Sequence, residues 1–354
     1  MSPKVLSRAI LVAIGAACVL ASAQLRAQQA NFTTGIAVGT SVGTCDPNSV
    51  PGDCWGLNIT CPNVQSFQPY DATVKITTPA GASTGTIIFI TGAGGTTYYD
   101  AHFNNGSSLI LDVVNAGFTA AQIVFDNPTD GWLTGPAQDS NGPITLACLP
   151  AVAIEWVYNS VLTPGTPLCA TGNSGGSFAI AYALSHYGLD SVLTLAELTS
   201  GPEASRLDYG CSPGKKYSAC AVCGTGTQYE SFGIQNAENI VDPAYTGVKG
   251  QKNASTGPCS LGWAGNTQWA AQLHHDSILS DTYSPLLSFA TQIRVVFGGL
   301  DTSGGAIPEG LDWASFVTSS VAVVCVPGAG HEMANYTMGA AQIESDLITY
   351  CRLP

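Results

Sequence analysis

The order of apolar segments predicts an α/β protein: a mostly parallel sheet flanked by helices. Three observations carry this. From Thr86 onward, short β-branched runs alternate with segments of helical apolar spacing. Two of the helical segments stop on a glycine, Gly117 and Gly188. The chain has 354 residues, 45% of them apolar, which suffices for one large domain or a domain with an insertion.

The elements follow in order. GLNITC and ATVKITTP read as early strands, each ending in turn residues. They come without helices between them and suit an antiparallel edge of the same sheet. TGTIIFITGAGG is a buried strand, Thr86 to Thr91, running into a glycine-rich loop. SSLILDVVNAG is a helix and AAQIVFDN a strand. ITLACLPAVAIEWVYNSV has helical spacing. PLCATGNSGG is a strand and turn, SFAIAYALSHYG a helix, SVLTLAEL a strand. A Gly- and Ser-rich interruption spans 201–290. QIRVVFGG and VAVVCVPG are the last strands, and AAQIESDLITYC is the closing helix. The resulting division is a core over 54–200 and 291–354, an insertion over 201–290, and a loose lead-in over 24–53.

Residues 1–23 read as a secretory signal peptide. Lys4 and Arg8 precede an apolar run from Ala9 to Leu20, and Ala21-Ser22-Ala23 fits a cleavage site, with Ala27 a second candidate. The expected location is secreted or periplasmic, with no membrane anchor once the leader is removed. Twelve cysteines less Cys18 leave eleven, and in an exported chain these read as disulfides. Local pairs such as Cys54 with Cys61 or Cys325 with Cys351 are expectations. Cys220 and Cys223 form a lone CxxC without a second pair, which argues against metal. The net charge of −13, with only 11 Lys plus Arg, argues against nucleic-acid partners and anionic membranes.

The chemistry centres on ATGNSGGSFAIAYALSHYG. Gly172-Asn173-Ser174-Gly175-Gly176 is G-x-S-x-G between a strand and a helix. Small flanking residues permit a strained apex, and the helix after it offers free N–H groups and its positive dipole end. A serine there needs a base, and the base needs an orienting group. Of five histidines, His186 lies too far along its own helix, and His274 and His275 fall in the insertion. His102 comes after an early glycine-rich loop. His331 has a strand-end position and a flexible approach through Gly328 and Gly330. Asp301, just past the penultimate strand, is the expected orienting carboxylate, with Glu309 and Asp312 as nearby alternatives and Asp281 in the insertion.

The order Ser174, Asp301, His331 resembles that of the α/β-hydrolase family, from about residue 54 to the end. The resemblance implies an eight-stranded sheet, serine hydrolase chemistry without a cofactor or metal, and a cap where the 201–290 insertion stands. It also implies an oxyanion hole from the N–H of Gly175 and of the 91–95 loop, Ala93 first and Gly94 next. The His-Gly opening common in lipases is replaced by Thr91-Gly92. Tyr98, Tyr99, Trp132 and the insertion either line an acyl or leaving-group pocket or, for each, serve ordinary packing. The expected activity is cleavage of small-molecule or polymeric carboxylic esters. A peptidase, a polyester depolymerase and a non-catalytic binding module are the alternatives, and the oligomeric state is open.

Overall fold

The computed structural model describes residues 34–45, 49–67, 69–126, 131–134, 142–211, 237–247, 257–260, 267–303 and 305–353. The leader, Cys18, Cys220 and Cys223 lie outside them.

Alternation along the strands builds the core. Among the described residues, nine strands form one sheet. They are β1 (Ile36–Thr44), β2 (Asp53–Thr60), β3 (Ala72–Thr77), β4 (Thr86–Ile90), β5 (Thr119–Phe125), β6 (Leu168–Asn173), β7 (Leu195–Thr199), β8 (Gln292–Gly298) and β9 (Val321–Val326). Their lateral order is β1-β2-β3-β5-β4-β6-β7-β8-β9. The pairs from β1 through β3 to β5 are antiparallel. Every pair from β5–β4 to β8–β9 is parallel. Central β4 is buried on both faces. Ile88 and Ile90 point into one apolar cluster, Ile87 and Phe89 into the other. Each such side chain stabilises the fold by about 1.5–3 kcal/mol on burial.

Helices α1 (Gly106–Asn115), α2 (Cys148–Ser160), α3 (Gly175–Tyr187), α5 (Ala306–Phe316) and α6 (Thr337–Tyr350) cover the sheet, and α4 (Thr267–His275) lies in the insertion. Leu109 and Val113 of α1 join Ile343 and Leu347 of α6 on one face. Ile154 of α2, Phe178 of α3 and Trp313 of α5 lie on the other. β4 has β5 on one side and β6 on the other, so the chain reverses direction across the sheet there. The carboxyl ends of β4 and β6 therefore flank the crevice where open α/β sheets place their ligands.

Three expectations are corrected. The sheet has nine strands rather than eight, and the lead-in expected to be loose over 24–53 carries β1. The signal was weak because β1 is an edge strand whose inner positions are small. Gly39 lies under the Trp156 indole, where a Cβ would sit 2.5–2.8 Å from ring atoms. On the outer side Ile36 and Val38 are exposed. The local cysteine pairs are also wrong. Cys54 bonds Cys45 across the antiparallel β1–β2 pair, Cys61 bonds Cys148, and Cys351 bonds Cys169. Cysteines distant in sequence meet because the sheet juxtaposes β6 with the end of α6, and β2 with the start of α2. Tyr99 packs between Phe89 and Phe103, and Trp132 packs on Phe178; both are buried inside the fold rather than lining a pocket. Tyr98 directs its hydroxyl at the Cys45 and Cys54 sulfurs.

The described parts of 201–290 share the main core. Leu207, Tyr245, Leu273 and Ile278 belong to the same apolar cluster as α3. The Tyr182 hydroxyl of α3 donates to the Asp276 carbonyl at 2.5 Å, and Cys211 bonds Cys259 within the insertion.

Candidate active site

β6 ends at Asn173 and α3 begins at Gly175. Between them Ser174 takes φ 52° and ψ −116°. An L-residue held there costs about 1–3 kcal/mol and persists only where the surroundings impose it. They do so here. Ser174 N donates to Thr199 O at 2.8 Å, and Phe178 N donates to Ser174 O at 3.1 Å. Close approach accounts for the neighbouring glycines. A methyl on Gly172 would collide with the Gly176 backbone, and one on Gly175 with the Ala93 carbonyl.

The loop after β4 thus lies directly against the elbow. A Cβ on Gly92 would stand 3.4 Å from the Ser174 Cβ. Ala93 has φ 49°, Gly95 N donates to Gly92 O at 3.1 Å, and the Gly94 carbonyl accepts from Trp132 N at 3.1 Å. Of the expected oxyanion donors, Gly175 and Ala93 are brought into contact, with Gly94 next along the loop.

Asp301 and His331 meet from the ends of β8 and β9. His331 Nδ1 donates to Asp301 Oδ2 at 3.0 Å and lies 3.2 Å from Oδ1. Asp301 is buried, and one of its oxygens also accepts from Ser303 N at 2.9 Å. The His331 turn is pinned to the neighbouring strand ends. Ser200 Oγ, just past β7, donates to the His331 carbonyl at 2.6 Å, and Met333 N donates to Asn173 Oδ1 at 3.3 Å. The alternatives lie elsewhere. Glu309 accepts from Ser205 Oγ and Arg206 N, Asp312 is 3.5 Å from Ser205 Oγ, and Asp281 pairs with His274. His186 is buried against the Ile278 carbonyl, and burial pushes it down to about 4. His275 pairs with Asp276, and His102 lies 3.8 Å from Glu332.

One buried carboxylate beside Ser174 is not marked by the sequence patterns. Glu203, in the turn after β7, is buried, and its Oε2 accepts a hydrogen bond from Ser174 Oγ at 3.2 Å. Its Oε1 lies 3.7 Å from His331 Nε2. A place just after β7 is all that the sequence offers for it, and that place alone assigns it no role. Burial is the largest influence on Glu203 and raises it. The nearby His331 charge and the Ser174 hydrogen bond lower it and Asp301 raises it, leaving it at about 7. Burial alone would lower His331. The Asp301 hydrogen bond and the charges of Glu203, Asp301 and Glu332 outweigh that and push it up to about 9.

Among the described residues no cluster of three or more His, Cys, Asp or Glu side chains is placed to hold a metal ion. Nor is any helix among them long and apolar enough to cross a membrane.

No protein-family model matches the chain, and no curated protein matches it by sequence. Solved structures do match. A truncated carbohydrate esterase from gut microbiota superposes with a TM-score of 0.50 at 13% identity, over 87% of this chain and 99% of that one. A thermostable carboxyl esterase from Bacillus coagulans gives 0.46 at 15% identity, over 89% and 97%. A bacterial heroin esterase gives 0.47 at 13%, over 94% and 89%. With the strand order, the crossover at β4 and the turn after β6, the first of these matches establishes the architecture: the chain has the α/β-hydrolase fold.

Proposed function

We propose that the protein is an exported serine hydrolase that cleaves carboxylic esters through an acyl-enzyme, with Ser174 as nucleophile, His331 as base and Asp301 as its orienting group. The observation that carries this reading is the strained elbow at Ser174 beside a histidine whose Nδ1 is held by a buried carboxylate. In the first step the Ser174 Oγ–H bond breaks as Oγ bonds the ester carbonyl carbon, and the proton passes to neutral His331 Nε2. The carbonyl oxygen becomes an oxyanion facing the N–H groups of Gly175 and Ala93, with Gly94 the next donor. His331 then returns the proton to the departing alkoxide. Water repeats the sequence on the acyl-enzyme and frees the acid. Asp301 fixes the tautomer that leaves Nε2 free to accept.

The leader-like residues 1–23 and the disulfides support export to an oxidising compartment, periplasmic or extracellular. The 201–290 insertion, anchored to β7 and β8 at its ends, is read as a cap that selects esters by size.

A fluorophosphonate probe tests the nucleophile. Wild type is labelled at Ser174, and Ser174→Ala is not labelled and loses on the order of a millionfold in turnover. Full labelling of the folded variant would sink the assignment. A panel of p-nitrophenyl esters of rising chain length, polymeric esters and peptides fixes the substrate class.

A further inference from the structure

We propose that Glu203 is a catalytic residue that competes with His331 for the proton of Ser174, so that the free enzyme rests with its nucleophile hydrogen-bonded away from the base and becomes competent only when Glu203 releases it. The proposal rests on Ser174 being the nucleophile.

The geometry is specific. The hydrogen bond that a Ser–His pair needs runs from Oγ to Nε2. Here the Ser174 hydroxyl donates instead to Glu203 Oε2 at 3.2 Å. The other carboxylate oxygen, Oε1, is buried, accepts no hydrogen bond, and stands 3.7 Å from Nε2. Glu203 thus faces both atoms that must meet. A buried carboxylate oxygen left without a donor is costly, and a positive charge at Nε2 is what offsets it.

The charges around the imidazole point the same way. Asp301 faces it from the β8 end, Glu203 from the β7 turn, and Glu332 from its own turn, with His102 beyond Glu332 at 3.8 Å. Glu203 in turn is faced by His331, Asp301 and the Ser174 hydroxyl. With His331 pushed up to about 9 and Glu203 to about 7, the resting pair near pH 8 is imidazolium and carboxylate. An imidazolium has no lone pair at Nε2 and accepts nothing. Before Ser174 can attack, His331 must lose that proton. Solvent hydroxide removes it, and the neutral Nε2 then offers the Ser174 proton a stronger acceptor than Glu203 Oε2, so the serine turns to His331.

These charges set the sign of the pH dependence. His331 is raised, so the neutral base is scarce below its pKa and accumulates as pH rises through it. Removing the Glu203 charge lowers that pKa. The experiment is the rate of fluorophosphonate labelling of Ser174 against pH, which needs no ester substrate, for wild type and Glu203→Gln. Glutamine keeps the length and an acceptor oxygen but carries no charge. Wild-type labelling is expected to rise through a limb near pH 9. In Glu203→Gln the limb moves down, and the ratio of the rate at pH 7 to the plateau rises about tenfold for each unit moved.

An unmoved limb overturns the proposal, as does a wild-type limb at or below pH 7, which needs no variant. Loss of labelling in folded Glu203→Gln at every pH also overturns it, since Glu203 would then be the base itself. An NMR titration of the His331 Cε1–H decides the same point without turnover: its midpoint must fall in the variant. A wild-type serine that never labels, beside a His331 midpoint that does fall, refutes the hydrolase reading and leaves the Glu203–His331 coupling standing.

Discussion

Two neighbouring turns at the carboxyl ends of parallel strands make an instructive pair. After β6, Ser174 sits at φ 52°, and after β7, Ser200 sits at φ 51°. Both are serines in a backbone region that L-residues rarely occupy, and they stand side by side, with Ser174 N bonded to Thr199 O. They diverge in the segment each one leads into. The first turn opens directly into the 13-residue helix α3, so the helix's free N–H groups begin beside Ser174. The second opens into the insertion through Gly201-Pro202-Glu203 and sends a hydroxyl to the His331 carbonyl and a carboxylate to Ser174. In the proposed mechanism one turn presents the reacting atom, and the other braces the groups around it. The same strain serves exposure in one case and support in the other.

If that division holds, the largest effects belong to groups bonded to reacting atoms or holding them. Asp301→Asn is expected to lower turnover by on the order of 10³–10⁴, because an amide facing Nδ1 favours the wrong tautomer. Glu309→Gln is the control. Glu309 accepts from Ser205 Oγ and Arg206 N and does not touch His331. Its loss is expected in melting temperature rather than in the rate per folded molecule. Steady-state kinetics with circular dichroism melts separates the two. A large rate loss in the Glu309 variant, with Asp301→Asn unaffected, would move the orienting role.

Gly175→Ala probes the first turn from its crowded side. The added methyl collides with the Ala93 carbonyl, so the 91–95 loop must shift. Displacing one oxyanion donor costs about 10²–10³ in kcat, with substrate binding less affected. An unaltered kcat in the alanine variant would mean that the Ala93 loop does not contribute to the oxyanion site.

The two turns were unequally legible, for a physical reason. The β6 turn announces itself because strand, small residues and helix are contiguous in sequence, and each leaves a local pattern. The order of Asp301 and His331 at later strand ends was readable by the same logic. The β7 turn leaves no such mark. Ser200 and Glu203 gain meaning only from the residues that stand opposite them, His331 and Ser174, which parallel pairing brings near. Edge strand β1 was hidden for a different reason. Its inner face is Ala37 and Gly39, small enough to admit Trp156, so the large apolar residues Ile36, Val38 and Val42 mark the exposed side and not a buried one. The disulfides were hidden for a third: Cys169 and Cys351 are 182 residues apart, and only the packing of α6 against the sheet joins them. Local chemistry was visible; pairings made across the sheet were not.

The smallest effect expected is also the one that separates strain from support in the second turn. Ser200→Ala removes the hydrogen bond to the His331 carbonyl but keeps a Cβ at positive φ. Ser200→Gly removes the same bond and relieves the backbone as well. The lost bond is worth about 0.5–1.5 kcal/mol. The relief at positive φ is worth about 1–2 kcal/mol, set against glycine's greater conformational entropy in the unfolded chain, roughly 0.5–1 kcal/mol. Ser200→Gly should therefore melt within a few degrees of wild type, and Ser200→Ala should melt lower than either. In turnover the order is different. Both variants release the His331 turn equally, so both should lose about tenfold or less, the equivalent of about 1.4 kcal/mol of positioning. If the glycine variant keeps full turnover while the alanine variant does not, backbone strain rather than the hydroxyl is what positions His331, and the second turn braces the site through its main chain alone.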